Sequence, residues 1–107
     1  MIRSSPFRVF RSDRPDGYGG VAILVRNSFC ILLMASEASL DLNMLCLNLT
    51  FNNMKQYRLM AVYAPPPLSV ETTNKMKGFF NQFVDPVIPI FICGDMNLPK
   101  FSSLTPN

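Results

Sequence analysis

The chain has no histidine among its 107 residues. That absence removes every mechanism in which an imidazole of this chain would bind a metal, relay a proton or contact a scissile group. Binuclear metallophosphatase sites, which need several histidine ligands, are excluded with it. Charge is scarce as well: 16% of residues are charged against 49% hydrophobic, and mean hydropathy is +0.20. This balance is apolar for a small domain. It implies strands buried on both faces, or a core whose covering layer is missing. Long apolar runs are also lacking. The longest, Phe29 to Ala35, is seven residues, against the roughly 20 that a membrane-spanning helix needs, so no membrane partner is expected. There is no secretory apolar region, and Asp13 and Asp16 come too early for an organelle transit peptide. Cysteine is sparse and odd in number: Cys30, Cys46 and Cys93 each sit in an apolar run. Buried free thiols in a reducing compartment are the expectation, hence an intracellular protein of nucleus or cytoplasm that is not secreted.

What charge there is lies unevenly. Residues 1–26 hold five arginines (Arg3, Arg8, Arg11, Arg14, Arg26) against Asp13 and Asp16, while residues 27–107 are balanced, so the whole net charge of +3 belongs to the first quarter of the chain. An arginine-rich end suits a polyanion; a solvated end is the alternative. At this length the chain is one domain at most, or part of one.

The pattern predicts an α/β chain, mostly β with one main helix. Phe7 to Arg11 alternates weakly as a strand, and Arg14-Pro15-Asp16-Gly17 followed by Tyr18-Gly19-Gly20 reads as a turn. Val21 to Arg26 and Phe29 to Met34 read as a hairpin closed at Asn27-Ser28. Asp41 to Phe51 alternates cleanly, with Leu45, Leu47, Leu49 and Phe51 on one face and Met44, Cys46, Asn48 and Thr50 on the other. Asn52-Asn53 offers a left-handed turn into a return strand over Tyr57 to Tyr63, which Pro65-Pro66-Pro67 ends. Ser69 is an N-cap for a helix over about 70–84, whose apolar stripe is Met76, Phe79, Phe80, Phe83 and Val84. Asp85-Pro86 stops it, and Ile88 to Cys93 is the next strand.

Tyr57 to Cys93 is thus a β-α-β unit, whose crossover is long enough to make its two strands parallel. Parallel strands end at one sheet edge. Tyr63, Asp95 and Asn97 therefore belong together there, where ligands of open α/β sheets bind. In the run Ile92-Cys93-Gly94-Asp95-Met96-Asn97, Asp95 and Asn97 point the same way off a strand end. Asp95 can act as a general base or orient a water, Asn97 can donate to a phosphate oxygen, and Tyr63 can donate to a non-bridging oxygen. Gly, Asp and Asn are also ordinary turn residues, and Tyr63 is equally a strand-end aromatic. Magnesium would need at least one more carboxylate, and Glu37, Asp41 and Glu71 have no evident reason to converge on Asp95.

Tyr57 to Pro66, an amphipathic helix and Ile92 to Pro99 together resemble the endonuclease/exonuclease/phosphatase family, and more narrowly the endonuclease domain of LINE-type (non-LTR) retrotransposons. Phe10 to Arg14 and Gly19 to Arg26 stand where those endonucleases carry an Arg-x-Asp-Arg and a Gly-Gly-Val strand. The resemblance runs through nearly the whole chain in order, which would make residues 1–107 the middle part of such a domain. It implies part of a two-sheet α/β sandwich that hydrolyses DNA phosphodiesters with magnesium. Tyr63 would contact phosphate, Asp95 would align or activate the nucleophile, and Asn97 would be its partner. The family's early asparagine and metal-binding glutamate would precede Met1, and its Ser-Asp-His segment would follow Asn107. The resemblance implies two alternative functions. One is a magnesium-dependent DNA endonuclease, inactive as this chain alone. The other is a non-catalytic retroelement remnant with weak polyanion binding through the arginine-rich end. Missing strands would leave apolar faces open, a route to self-association.

Overall fold

The computed structural model describes residues 6–95. They form six strands in two sheets and one helix: β1 (Phe7–Asp13), β2 (Gly20–Arg26), β3 (Cys30–Ala38), β4 (Asn43–Thr50), β5 (Gln56–Tyr63), α1 (Val70–Phe83) and β6 (Ile90–Asp95). β1 and β2 pair as an antiparallel ribbon, and the larger sheet runs β3-β4-β5-β6. β4 is antiparallel to both β3 and β5, while β6 is parallel to β5. The expected fold class is observed: a mostly β, α/β arrangement consistent with part of a two-sheet sandwich.

β4 explains the layering. Its alternation presents Leu45 and Leu47 to one side, where they pack with Ile23 and Val25 of the β1–β2 ribbon and with Ala61. Met44 and Cys46 face the other side and pack under α1. Met44 joins Val62 and Met76, and Cys46 joins Met60 and Phe83. Both faces of β4 are therefore interior, as the apolar composition implied. The helix forms where expected, one residue shorter at its end. The Ser69 hydroxyl accepts the Thr72 backbone N–H at 3.0 Å, satisfying a donor that the first turn leaves unpaired. No basic residue lies in the last helical turn, but Arg58 of β5 donates to the Phe83 carbonyl from outside the helix. Beyond the helix, the Asp85 carboxylate accepts the backbone N–H groups of Val87 and Ile88 at 2.7 and 3.0 Å, turning the chain into β6.

Three sequence expectations are corrected. β2 and β3 are not hairpin partners. A turn does form between them, with Phe29 N–H donating to the Arg26 carbonyl at 3.2 Å, but it carries the chain from one sheet into the other. The reason is that each strand pairs along nearly its whole length with a different neighbour. β2 pairs with β1 from Phe7↔Arg26 to Asp13↔Gly20, and β3 pairs with β4 from Cys30↔Thr50 to Ala38↔Asn43, with a bulge between Leu33 and Ala35. The thiols are the second correction. Cys46, on central β4, is buried, whereas Cys30 and Cys93 are exposed because they lie on β3 and β6, the two edges of the larger sheet. Third, the left-handed residue of the β4–β5 turn is Met54 (φ 66°) and not an asparagine. Asn53 serves that turn through its side chain, which accepts the Lys55 N–H at 3.1 Å. Asn48 is almost fully buried and donates to Gln56 at 3.0 Å. Among the described residues no helix is long and apolar enough to cross a membrane.

Candidate functional site

The parallel register puts Tyr63 directly opposite Asp95, at the shared end of β5 and β6. The Ala64 N–H donates to the Asp95 carbonyl at 2.8 Å, so pairing continues past the strand end and fixes the Asp95 backbone. Gly94 makes that approach attainable. Its φ is +124°, and a Cβ there would fall 1.9 Å from the Val62 carbonyl oxygen, inside the neighbouring strand. The glycine of Gly-Asp-x-Asn is thus required by the backbone. Asp95 is exposed and Tyr63 half-buried. Asn97 lies outside the described residues.

On the other side of Tyr63, β4 contributes Asn43 in the same row of the sheet. Asn43, Tyr63 and Asp95 share the face turned toward the β1–β2 ribbon, because they have the strand parity of Leu45, Leu47 and Ala61. Asn43 is fully buried, and its Nδ2 donates to the Ser12 hydroxyl at 3.1 Å and to the Ser12 carbonyl at 3.3 Å. The Ser12 hydroxyl in turn donates to the Glu37 carbonyl. This clasp joins the two sheets beneath the edge that carries Tyr63 and Asp95.

The ribbon supplies the facing wall. Gly19 has φ +149°, and a Cβ on it would sit 3.0 Å from Cε2 of Tyr63 and 3.2 Å from Cδ of Arg14. The missing side chain lets the tyrosine ring and the arginine stem lie against the Gly19 backbone together. Arg14 is held at its outer end by Asp16, Nη2 to Oδ2 at 3.1 Å. The Arg14 Nε and the Asn43 Oδ1 are buried without a hydrogen-bond partner among the described residues. Such unsatisfied groups are uncommon inside folded proteins and call for an occupant or a role.

Tyr63 and Asp95 were legible as neighbours in the sequence; Arg14, Asp16, Ser12 and Asn43 were not. Asp16 read only as a turn residue, and Arg14, though one of the five early arginines and the end of the Arg-x-Asp-Arg stretch, had no link to Tyr63. Asn43 carried a signal, since it continues the Leu49-Leu47-Leu45 face with a polar residue. The other acids are engaged elsewhere. Asp13 pairs with Arg11 at 3.2 Å, and Asp41 accepts from Thr72 and Ser39 at 2.6 and 2.7 Å. Those hydroxyls, Thr72 first, hold the Asp41 carboxyl below its ordinary range. Among the described residues no three acidic or thiol groups gather as metal ligands. With Asp95 the one carboxylate in the Asn43–Tyr63–Asp95 row, the described residues do not compose a magnesium site. A hollow of about 410 Å³ between Met54–Tyr57 and Val87–Pro89 lies at the other end of β5 and has no part in this edge. Compared with known proteins, the chain matches no family model and no curated protein.

Proposed function

We propose that this chain carries part of the phosphodiester site of a LINE-type DNA endonuclease, within the endonuclease/exonuclease/phosphatase family. Tyr63 contacts phosphate, and Asp95, with Asn97, aligns or activates the attacking water. The observation that supports this most is the parallel register of Tyr63 with Asp95, which places a phenol donor and a carboxylate on one face of one sheet edge. Magnesium is the cofactor the resemblance implies. The described residues lack a ligand set for it.

In this reading the chain by itself binds DNA weakly and does not cut it. In-line phosphoryl transfer needs a positioned nucleophile, a cation and stabilisation of the phosphate charge acting as a unit. Asp95 and Asn97 bear on the first alone, and the chain has no histidine for the phosphate. Incubated with supercoiled plasmid and magnesium, the pure chain is expected to nick no faster than its Asp95→Ala variant. Nicking that vanishes in both Asp95→Ala and Asn97→Ala would show a complete site and overturn the inactivity. Binding to a DNA duplex is expected to be indifferent to sequence and to fall steeply with salt. Arg8 and Arg26 sit on β1 and β2 with their guanidiniums over Phe10 and Phe7 rings, at 5.0 and 5.6 Å. Because β1 is a paired strand, charge substitutions at Arg8 and Arg26 test this better than deleting the arginine-rich end. Retention unaltered by both would remove Arg8 and Arg26 as DNA contacts.

A non-catalytic remnant is the second reading, favoured by the apolar surface of the described residues. Val87, Phe91 and Ile92 are exposed along the edge strand β6 and its approach, apolar surface suited to self-association.

A further inference from the structure

Arg14 is half-buried, unlike Arg8, Arg11 and Arg26, which are exposed. Its side chain is only 21% exposed, against 65% for Arg11, whose ion pair with Asp13 stands in solvent. Its stem lies beside the Tyr63 ring over Gly19, and its Nε is buried without an acceptor. A guanidinium presents five N–H donors in a rigid fork. The contact with Asp16 engages Nη2, so donor capacity is left on a cation whose position is already fixed. A fixed, partly desolvated guanidinium with spare donors beside a phenol is suited to oxyanions, since little ordering remains to be done when the anion arrives. The surroundings make that charge necessary. Asp95 and Asp16 both stand at this edge, and two carboxylates repel an anion unless a cation is held between it and them.

We infer that Arg14, braced by Asp16 and laid over Gly19 against Tyr63, is the phosphate-contacting cation of the Tyr63–Asp95 edge. This rests on the phosphodiester reading of that edge, and adds to it a residue from the other sheet. The site then spans the gap between the sheets, with Tyr63 and Asp95 on one wall and Arg14 on the other. Asp16 is a positioning residue that restricts the guanidinium. Gly19 is the backbone floor on which arginine and tyrosine meet, so even a methyl group there displaces one of them. The ligand chemistry is a phosphate oxyanion, from a DNA phosphodiester or from free phosphate.

The test is a titration of the whole chain, followed by NMR at the Arg14 Nε–H and at the Tyr63 and Ala64 amides. One arm adds inorganic phosphate and the other a 12-base-pair DNA duplex. The expected result is that all three signals move together in at least one arm. An effect confined to the duplex assigns the site to phosphodiesters, and an equal effect in both assigns it to phosphate in general. Arg14→Gln should reduce the Tyr63 and Ala64 shifts at least fivefold, while Lys55→Gln, at the far end of β5, leaves them unaltered. Should Arg14→Gln fail to fold, Arg14→Lys gives the answer: it keeps the charge but loses the fork, and should also reduce those shifts severalfold. Shifts at Tyr63 and Ala64 that persist in the Arg14 variants would overturn the role of Arg14 and leave the edge site standing. Movement of Arg14 Nε–H alone would keep an anion site at the arginine and remove Tyr63 and Asp95 from it. No movement at any of the three in either arm would overturn the inference.

Discussion

β4 and β6 flank the same strand, β5, yet they live in opposite surroundings. Six of the eight β4 residues are buried, whereas five of the six β6 residues are exposed, Phe91 and Ile92 among them. Both strands are strongly apolar, so composition does not separate them. Position does. β4 has a strand on each side, α1 over one face and the β1–β2 ribbon over the other, while β6 is an edge. Every few hundred Å² of apolar surface left in water forgoes several kcal/mol at about 25 cal/mol per Å², comparable with a domain's net stability. The fold is therefore held at β4 and β5, and its β6 side contributes hydrogen bonds and functional residues more than burial.

The sharpest way to break this comparison is to truncate one apolar residue on each side. Leu47→Ala should cost about 2–5 kcal/mol by removing a fully buried side chain between the sheets. Phe91→Ser should alter monomer stability by less than about 0.5 kcal/mol, while lowering the binding of a hydrophobic dye. Urea unfolding of both variants at two protein concentrations reads the difference. If Phe91→Ser proves as costly as Leu47→Ala, and the cost grows with concentration, a second copy covers β6 and the contrast between the strands belongs to the isolated chain alone.

The contrast also marks what was legible in the sequence. The β5–α1–β6 crossover was readable because its punctuation is local: Pro65 to Pro67 after the strand, Ser69 as cap, Asp85-Pro86 as stop. From those, parallel pairing and the meeting of Tyr63 with Asp95 followed geometrically. Sheet membership of β2 and β3 was not readable. An Asn-Ser turn fits a hairpin and a sheet-to-sheet corner equally well, and only the longer pairings with β1 and β4 decide between them. Exposure of Cys30 and Cys93 escaped for the same reason, since an apolar run does not reveal whether its strand is central or an edge. The Arg14 wall of the site depends on that corner too. Its distance from Tyr63 is set by how two sheets stack, which no single stretch of sequence encodes.

A second, smaller effect should appear where β5 meets α1. Arg58 donates to the Phe83 carbonyl and, from Nε, to Asn48 Oδ1 at 3.4 Å. It thus supplies the positive charge that the last turn of α1 lacks. Hydrogen bonds from a charged donor contribute about 1.5–3 kcal/mol, so Arg58→Met, which keeps the stem and removes the donors, should lose about that much. Hydrogen exchange should show fraying confined to the end of α1. Protection lost equally across β4 would mean that Arg58 supports the central sheet instead.

Acid should weaken the start of α1 before the sheet. Hydrogen bonds from Thr72 and then Ser39 keep the folded-state carboxyl of Asp41 below its ordinary value. A depressed carboxyl gives stability that is fully present above the unfolded value, near pH 4. That stability is lost as pH falls through the lower folded value. Asp85, lowered by the Val87 and Ile88 N–H groups, acts in the same sense. Asp41→Asn should therefore make the decline of melting temperature below about pH 4 shallower without abolishing it. An unaltered acid limb would assign the decline to other carboxylates.

The smallest expected effect lies in the β4–β5 turn and bears on the same contrast, because this turn sets the register of the buried pair. Phe51 to Met54 closes with the Met54 N–H on the Phe51 carbonyl at 2.9 Å, and Met54 then takes φ 66°. A residue with a Cβ is strained in that region by about 1–2 kcal/mol. Glycine removes the strain but gives back part of the gain as unfolded-chain entropy. Met54 is 77% exposed, so its side chain adds little packing. Met54→Gly should then stabilise by about 0.5–1 kcal/mol, and Met54→Val, which is β-branched, should destabilise by a similar amount. Both shifts should appear in the urea midpoint with no change of slope. If the two substitutions move stability the same way, the left-handed geometry is not what limits this turn, and the pairing of β4 with β5 sets its own register without help from Met54.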